Sequence, residues 1–285
     1  MKRALVLAGG GVAGIAWELG VLRGIQDADP DLEASLAAAD VIVGTSAGSA
    51  VAGQITSGTP LEDLYAVQLA PGSSEIEVDF DMDDLIARFA SVADGATMAE
   101  EIRWRIGALA LATPTVEESA RRAAIAARLP VHAWPDRVVL LAAIEAETGE
   151  LTVFTRESRV SLVDAVAASC AVPMVYPPIS IGGHRYIDGG SRSIANADVA
   201  TGCSTVVVIG PFVLSLRRRQ SVERQVASLG SGIRSIVIKA DEHARKAMGT
   251  QALDPTHRVA SARAGREQAK GIAGAVSEVW AAVRA

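Results

Sequence analysis

The stretch Val41-Ile42-Val43-Gly44-Thr45-Ser46-Ala47-Gly48 decides the fold. Its three β-branched residues make a short apolar run, the signature of a buried strand, and the small-residue segment onward to Ile55 reads as a helix. Between them, Gly44-x-Ser46-x-Gly48 has the pattern of a sharp strand-to-helix turn that lifts a serine hydroxyl to its apex. Toward the N-terminus the grammar repeats. Ala4 to Ala8 is apolar, Gly9-Gly10-Gly11 follows, and Ile15 to Ile25 carries apolar residues at helical spacing. Two strands, each feeding a helix through a glycine-bearing turn, predict an α/β protein with a parallel sheet.

The rest of the 285 residues fits around that start. From Pro60 to Leu129 the pattern predicts helices only, at Leu61 to Leu69, Met82 to Ala93, Met98 to Leu111 and Val116 to Leu129. Strands resume at Val138 to Ala143 and Leu151 to Thr155, around a turn at Glu147-Thr148-Gly149-Glu150. A helix at Leu162 to Ala171 stops before Pro173, and Ile179 to Ile187 reads as a hairpin that runs into Asp188-Gly189-Gly190. Val206 to Ile209 reads as a buried parallel strand. Helices are expected at Val222 to Leu229, Ile233 to Met248 and Gly265 to Val283. No Pro-, Gly- or Ser-rich linker divides the pattern, which predicts one domain over 1–285, with a core of about 4–210 and a helical insertion at about 60–130.

Composition narrows the function. Hydrophobic residues make up 49% and charged residues 21%, enough for a large core and too apolar for a disordered chain. With 27 Lys and Arg against 33 Asp and Glu, the net charge of −6 argues against nucleic acid as a partner. The two cysteines, Cys170 and Cys203, are too few to staple a fold this size and read as thiols of a cytoplasmic protein. There is no run of eighteen apolar residues and no clear signal-peptide cleavage site. No metal-ligand cluster and no obligate protein partner is expected, nor is any cofactor.

Gly9 to Gly14 satisfies G-x-G-x-x-G after a strand, which taken alone would fit a dinucleotide site. That reading needs an acidic residue at the end of the second strand. Asp29, Asp31 and Glu33 precede the strand, Asp40 opens it, and Gly44-Thr45-Ser46 occupies its end. The loop has a more general use: closely approaching backbone N–H groups at a helix N-terminus suit any developing negative charge. Ser46 needs a base to become a nucleophile. Asp188 is the better candidate. A Ser46/Asp188/His triad using His243 or His257 stays open, although His243 lies in a helical charge run and His257 follows a turn. A binding protein that holds a nucleotide or an acyl ligand without turnover is a further alternative.

These motifs, in this order, resemble the patatin-like phospholipases, lipid acyl hydrolases with a Ser/Asp dyad. Leu7 to Gly11 with Gly14 is similar to that family's oxyanion loop, Gly44 to Ser49 to its nucleophile elbow, and Asp188-Gly189-Gly190 to its D-G-[AG] motif. Ala168 to Pro173 with Pro177-Pro178 resembles the segment before the aspartate. The match covers residues 5 to 190. Ala13 departs from it, since family members often carry Arg or Lys there.

The resemblance implies a three-layer α/β/α fold with a mainly parallel central sheet and a helical cap insertion. It also implies an esterase or phospholipase without a cofactor. Ser46 would be the nucleophile and Asp188 the proton acceptor. Gly9, Gly10, Gly11, Val12 and Gly14 would form the oxyanion loop, Gly44, Thr45, Ala47 and Gly48 the elbow, and Gly189 and Gly190 would flank the base. The expected partner is a lipid or acyl ester, with transient contact at a membrane surface. Ile102, Trp104, Ile106 and Leu109 beside Arg103 and Arg105 offer an interfacial face, though a core-facing helix with exposed arginines is the preferred reading. Arg217-Arg218-Arg219 reads as a solvated cluster more readily than as a head-group site.

Overall fold

The computed structural model describes residues 2–72, 75–76, 82–212 and 221–281. Arg217-Arg218-Arg219 lies outside the described residues.

The sheet is built from β1 (Lys2–Leu7), β2 (Val41–Thr45), β3 (Val138–Glu145), β4 (Leu151–Phe154), β5 (Ile179–Ile181), β6 (His184–Asp188), β7 (Cys203–Ile209) and β8 (Arg234–Ile238). The hydrogen-bonding path is β5-β6-β3-β2-β1-β7-β8, with β4 also on β3. Strands β8, β7, β1, β2 and β3 run parallel, whereas β4, β5 and β6 form the antiparallel end. Side chains alternate across it with period two. Leu5 and Leu7 of β1 and Val207 and Ile209 of β7 enter the larger core, while Ala4, Val6, Val206 and Val208 enter the smaller one on the other face. Both faces are covered, giving three layers.

The helices are α1 (Gly11–Ala28), α2 (Pro30–Ala37), α3 (Ala47–Ile55), α4 (Leu61–Leu69), α5 (Met82–Ala93), α6 (Ala99–Ala112), α7 (Glu118–Arg128), α8 (Leu162–Ser169), α9 (Val222–Ser228), α10 (Glu242–Met248), α11 (Arg258–Ala269) and α12 (Ala273–Ala281). Helices α1, α3, α8 and α11 contribute to the larger core, and α9 to the smaller. Among its described residues, the segment between β2 and β3 contains helices and the turns that join them, and no strand. Among the described residues, no helix is long and apolar enough to cross a membrane.

Three expectations need correction. Ile233 to Met248 is not one helix. Ile236, Val237 and Ile238 extend the sheet as β8, in parallel register with Val207 to Ile209, and only residues after Asp241 are helical. The apolar spacing there fits either period, and β-branched residues beside an open strand edge favour the ladder. The helix expected from Gly265 to Val283 starts earlier, at Arg258, and breaks around Gly271 into α11 and α12.

The third correction concerns α6. Ile102 and Ile106 are buried in a cluster with Ile144 and Ile187, as the preferred core-facing reading expects, and of the four apolar residues only Trp104 is exposed. Arg103 is not exposed either. Its Nε donates to the Gly149 carbonyl at 2.6 Å, and Arg105 donates to the carbonyls of Val92 and Asp94. Both guanidinium groups tie α6 to neighbouring turns.

Candidate active site

The sheet brings Ser46 and Asp188 together through β3. Thr45, the last residue of β2, pairs with Ala142, and Asp188, the last of β6, pairs with Ala143. Leu141 and Ala142 pair with both β2 and β4, while Ala143 and Ile144 pair with both β4 and β6. Strands β2 and β6 therefore meet end to end along one edge of β3, one entering parallel and the other antiparallel. Residues far apart in the chain become neighbours at that junction.

Ser46 sits there at φ 52° and ψ −120°, a conformation that costs a non-glycine residue of order 1–3 kcal/mol and persists only where surroundings enforce it. The enforcement is visible. Ser46 N–H donates to Ser169 Oγ at 2.9 Å, and Ser169 Oγ–H donates to the Ala142 carbonyl at 2.7 Å. The Ser46 carbonyl accepts from Ser49 Oγ at 2.6 Å and from Cys170 Sγ at 3.1 Å. Gly48 N–H donates to the Ala8 carbonyl, and a Cβ on Gly48 would fall inside the van der Waals shell of the Leu7 carbonyl. The start of α3 is thus pressed directly on the end of β1.

Asp188 is 5% exposed and Ser46 8%. Burial raises the Asp188 carboxyl to about 6, against the lowering effects of its hydrogen bond with Ser46, the Gly190 N–H and the positive charge of Arg121. The Gly190 N–H donates to Asp188 Oδ1 at 2.7 Å, which fixes the carboxylate orientation. Asn196, fully buried and left-handed at φ 46°, donates from Nδ2 to Thr45 Oγ1, Gly189 O and Ser193 O at 3.1, 3.2 and 2.7 Å. One amide therefore ties the elbow strand to the turn after the aspartate.

The glycine loop divides its labour. Gly9 N–H is spent on the Ile194 carbonyl at 2.7 Å and Gly14 N–H on Gly10 O at 2.8 Å. Ala13 N–H is spent on the Ala252 carbonyl at 2.9 Å, and its side chain is fully buried. No hydrogen bond within the described residues uses the N–H groups of Gly10, Gly11, Val12 or Ala47. These sit at the starts of α1 and α3, where the helix ends favour negative charge. Gly11 has φ +64°, and a Cβ there would lie 2.5 Å from the Ala252 carbonyl oxygen. The segment before α11 therefore clamps the loop.

A cavity of about 10 Å³, room for one water, opens on Ser46 and is lined by the glycine-loop residues Gly11 and Val12, by Ala47, and by the side chains of Arg121, Tyr176 and Leu253. No histidine lines it. His243 is exposed on α10 and His257 faces Asp254 at 3.8 Å, so neither belongs to the Ser46 cavity. Arg121, Arg128, Glu75, Tyr176 and Leu253 are features the sequence reading did not single out. Arg121 and Arg128 lie seven residues apart on α7, hence on one helix face, and that spacing was the available signal.

The family model for patatin-like phospholipase matches residues 5–201. A search of curated proteins finds no match. Among solved structures, the chain is similar to VipD from Legionella pneumophila, with 13% identity, a TM-score of 0.48, and 96% of this chain and 67% of that one covered. It is also similar to the type III effector protein ExoU, with 14% identity and a TM-score of 0.40. There 96% of this chain is covered, and the chain spans 53% of the ExoU chain. With the elbow, the glycine loop and the Asp-Gly-Gly turn all inside the matched span, the chain belongs to the patatin-like phospholipase family.

Proposed function

We propose that this protein is a serine acyl hydrolase that cleaves carboxylic esters of lipids through an acyl-Ser46 intermediate, with Asp188 as its general base. Membership of a phospholipase family supports lipid hydrolysis. The observation that carries the finer reading is the contact of a strained, buried serine hydroxyl with a buried carboxylate whose affinity for protons is raised toward neutrality.

At neutral pH Asp188 is mostly ionised and removes the Ser46 hydroxyl proton as Oγ attacks the ester carbonyl. The carbonyl oxygen becomes negative and accepts hydrogen bonds from the N–H groups of Gly10, Gly11 and Val12, which no other group among the described residues uses. A preorganised donor of this kind is worth about 3 kcal/mol. Collapse of the tetrahedral adduct breaks the bond to the alcohol, which leaves with the proton held by Asp188. Water then repeats the sequence: Asp188 takes its proton, the hydroxide attacks the acyl carbon, and Oγ departs with the proton, releasing the fatty acid. A carboxylate pushed up to about 6 suits this work, being both ionised and basic enough at pH 7. The cavity, with room for about one water, implies that the cap yields to admit an acyl chain.

Medium-chain nitrophenyl esters and a fluorophosphonate probe test this. Ser46→Ala abolishes labelling, and it and Asp188→Asn each lower kcat/KM by about 10⁴-fold. Turnover equal to wild type in both would overturn the assignment.

A further inference from the structure

The side chains around the Ser46 cavity are not equally well seated. Tyr176 is 1% exposed and its N–H donates to the Val172 carbonyl at 2.9 Å, while the segment carrying Leu253 is tied to the glycine loop where the Ala252 carbonyl accepts from Ala13 N–H. Helix α7 has less to hold it. Of its eleven residues only Arg121, Ala124 and Ile125 are buried, whereas six of the eight residues of α8 are. Its inward contacts are polar: Arg121 stacks over Tyr176 with Cζ 3.6 Å from the ring centroid, and Arg121 and Arg128 share the Glu75 carboxylate. Nε and Nη1 of Arg121 have no hydrogen-bond partner, so this buried surface is incompletely paired. Elements with little buried apolar surface are the ones that open locally.

What holds α7 shut lies outside the cavity, at Arg122. Its Nη2 donates to Glu118 Oε1 and to the Ser180 carbonyl, each at 2.7 Å, and its Nη1 pairs with Asp164 Oδ1 on α8. Glu118 in turn accepts from the Ser180 N–H at 2.7 Å and from Ser180 Oγ at 3.0 Å. Strand β5 ends the sheet on this side, and Ser180 is its middle residue. Both backbone groups that Ser180 would offer to a further strand are therefore taken by side chains of α7. The charged side chains of this clamp are between 28% and 32% exposed, where ion pairs are weak and screened by salt.

We propose that Arg122 is a specificity-determining residue: with Glu118, Asp164 and Ser180 it holds α7 over Ser46, and the ease with which this clamp opens sets the length of acyl chain accepted. This rests on the acyl hydrolase reading above. The closed cavity, at about 10 Å³, has no room for an acyl chain, so binding of a long chain is weakened in proportion to the fraction of molecules in which α7 is open. A short acyl group needs less displacement. Releasing the clamp raises the open fraction and favours long chains through KM, while the dyad and the N–H donors stay as they are.

The test compares nitrophenyl decanoate with nitrophenyl acetate on the full chain. In Arg122→Ala the ratio of kcat/KM, decanoate over acetate, rises about tenfold, chiefly through a lower KM for decanoate, with acetate turnover nearly unchanged. Arg122→Lys, which keeps the charge without the fork, gives an intermediate ratio. Raising NaCl from about 0.05 M to about 0.5 M increases the wild-type ratio about threefold and leaves that of Arg122→Ala unchanged, a response that simple loosening of the fold does not give. If Arg122→Ala fails to fold, Asp164→Asn, which removes one charge and keeps the shape, is read the same way, and its ratio rises. An unchanged or lowered ratio in a folded variant overturns the proposal, and so does an equal salt response in wild type and Arg122→Ala. Absence of fluorophosphonate labelling at Ser46 in the wild type is failure of the hydrolase reading instead; labelling with an unchanged ratio is failure of the clamp alone.

Discussion

The cavity over Ser46 has two unlike walls. One is backbone: the N–H groups of Gly11, Val12 and Ala47, held by β1, β2 and the helices they feed. The other is side chain: Arg121 from α7, Tyr176 from the loop after α8, and Leu253 from the segment before α11. Backbone donors on strand ends cannot reorganise without breaking the sheet, so they suit a task common to every ester, the stabilisation of a developing oxyanion. Side chains drawn from three separate segments can move and be exchanged singly. They suit the choice of substrate. The division predicts that damage to the first wall is general and damage to the second selective.

Short of removing Ser46 or Asp188 themselves, the largest effect on activity should come from Gly48→Ala. The new methyl meets the Leu7 carbonyl and drives α3 off β1, displacing Ser46. A loss of about 100-fold in kcat/KM for all esters alike, with about 3 kcal/mol of stability lost to overpacking, is expected in ester assays and chemical denaturation. A loss confined to one substrate class would break the comparison.

Next is Asp188→Asn, read for stability. Since the folded carboxyl titrates at about 6 against an ordinary 3.8, the folded state binds a proton more tightly than the unfolded chain. Stability is fully present below 3.8 and declines as pH rises to about 6. Asparagine carries no charge to bury, so at pH 7 the inactive variant should be more stable by about 3 kcal/mol, a difference that vanishes near pH 3.5. Wild-type kcat/KM should rise with pH through about 6 and then level. A variant no more stable than wild type at pH 7 would contradict the burial argument.

The smallest and most selective effect should come from Leu253→Ala. It widens the side-chain wall without touching a donor. The ratio of kcat/KM for a long-chain over a short-chain nitrophenyl ester should shift by about tenfold in favour of the long chain, with short-chain turnover little altered. A uniform change across chain lengths would place Leu253 with the backbone wall instead.

The same division governs what the sequence shows. Ser46, Asp188 and the glycines are legible because the conformations they occupy admit few residue types. A φ of 52° at the elbow and a carbonyl against Gly48 restrict the sequence locally. The strands β1 and β2 that feed them are legible as apolar runs ending at those turns, whereas the order of the sheet comes from the structure. Arg121 and Arg128 are faint by comparison: their seven-residue spacing marks one helix face, but arginines on an amphipathic helix ordinarily face water. Only the packing of α7 onto Tyr176 and Glu75 turns them inward. Asn196 is hidden for a related reason, because its three acceptors are brought to it by three different turns of chain. Strand β8 was missed because Ile233, Ile236, Val237 and Ile238 satisfy a helical period until β7 offers them a ladder.

The strained backbone at Ser46 has a consequence for how this chain changes over generations. A serine at φ 52° and an aspartate with its carboxylate sealed from water both weigh against folding. Drift under selection for a folded protein alone would replace them first, Ser46 by glycine and Asp188 by a neutral residue. If the proposed dyad is correct, their joint persistence in a lineage is a record of selection for chemistry, and their joint loss, with the rest of the sheet intact, would mark a descendant that no longer hydrolyses esters.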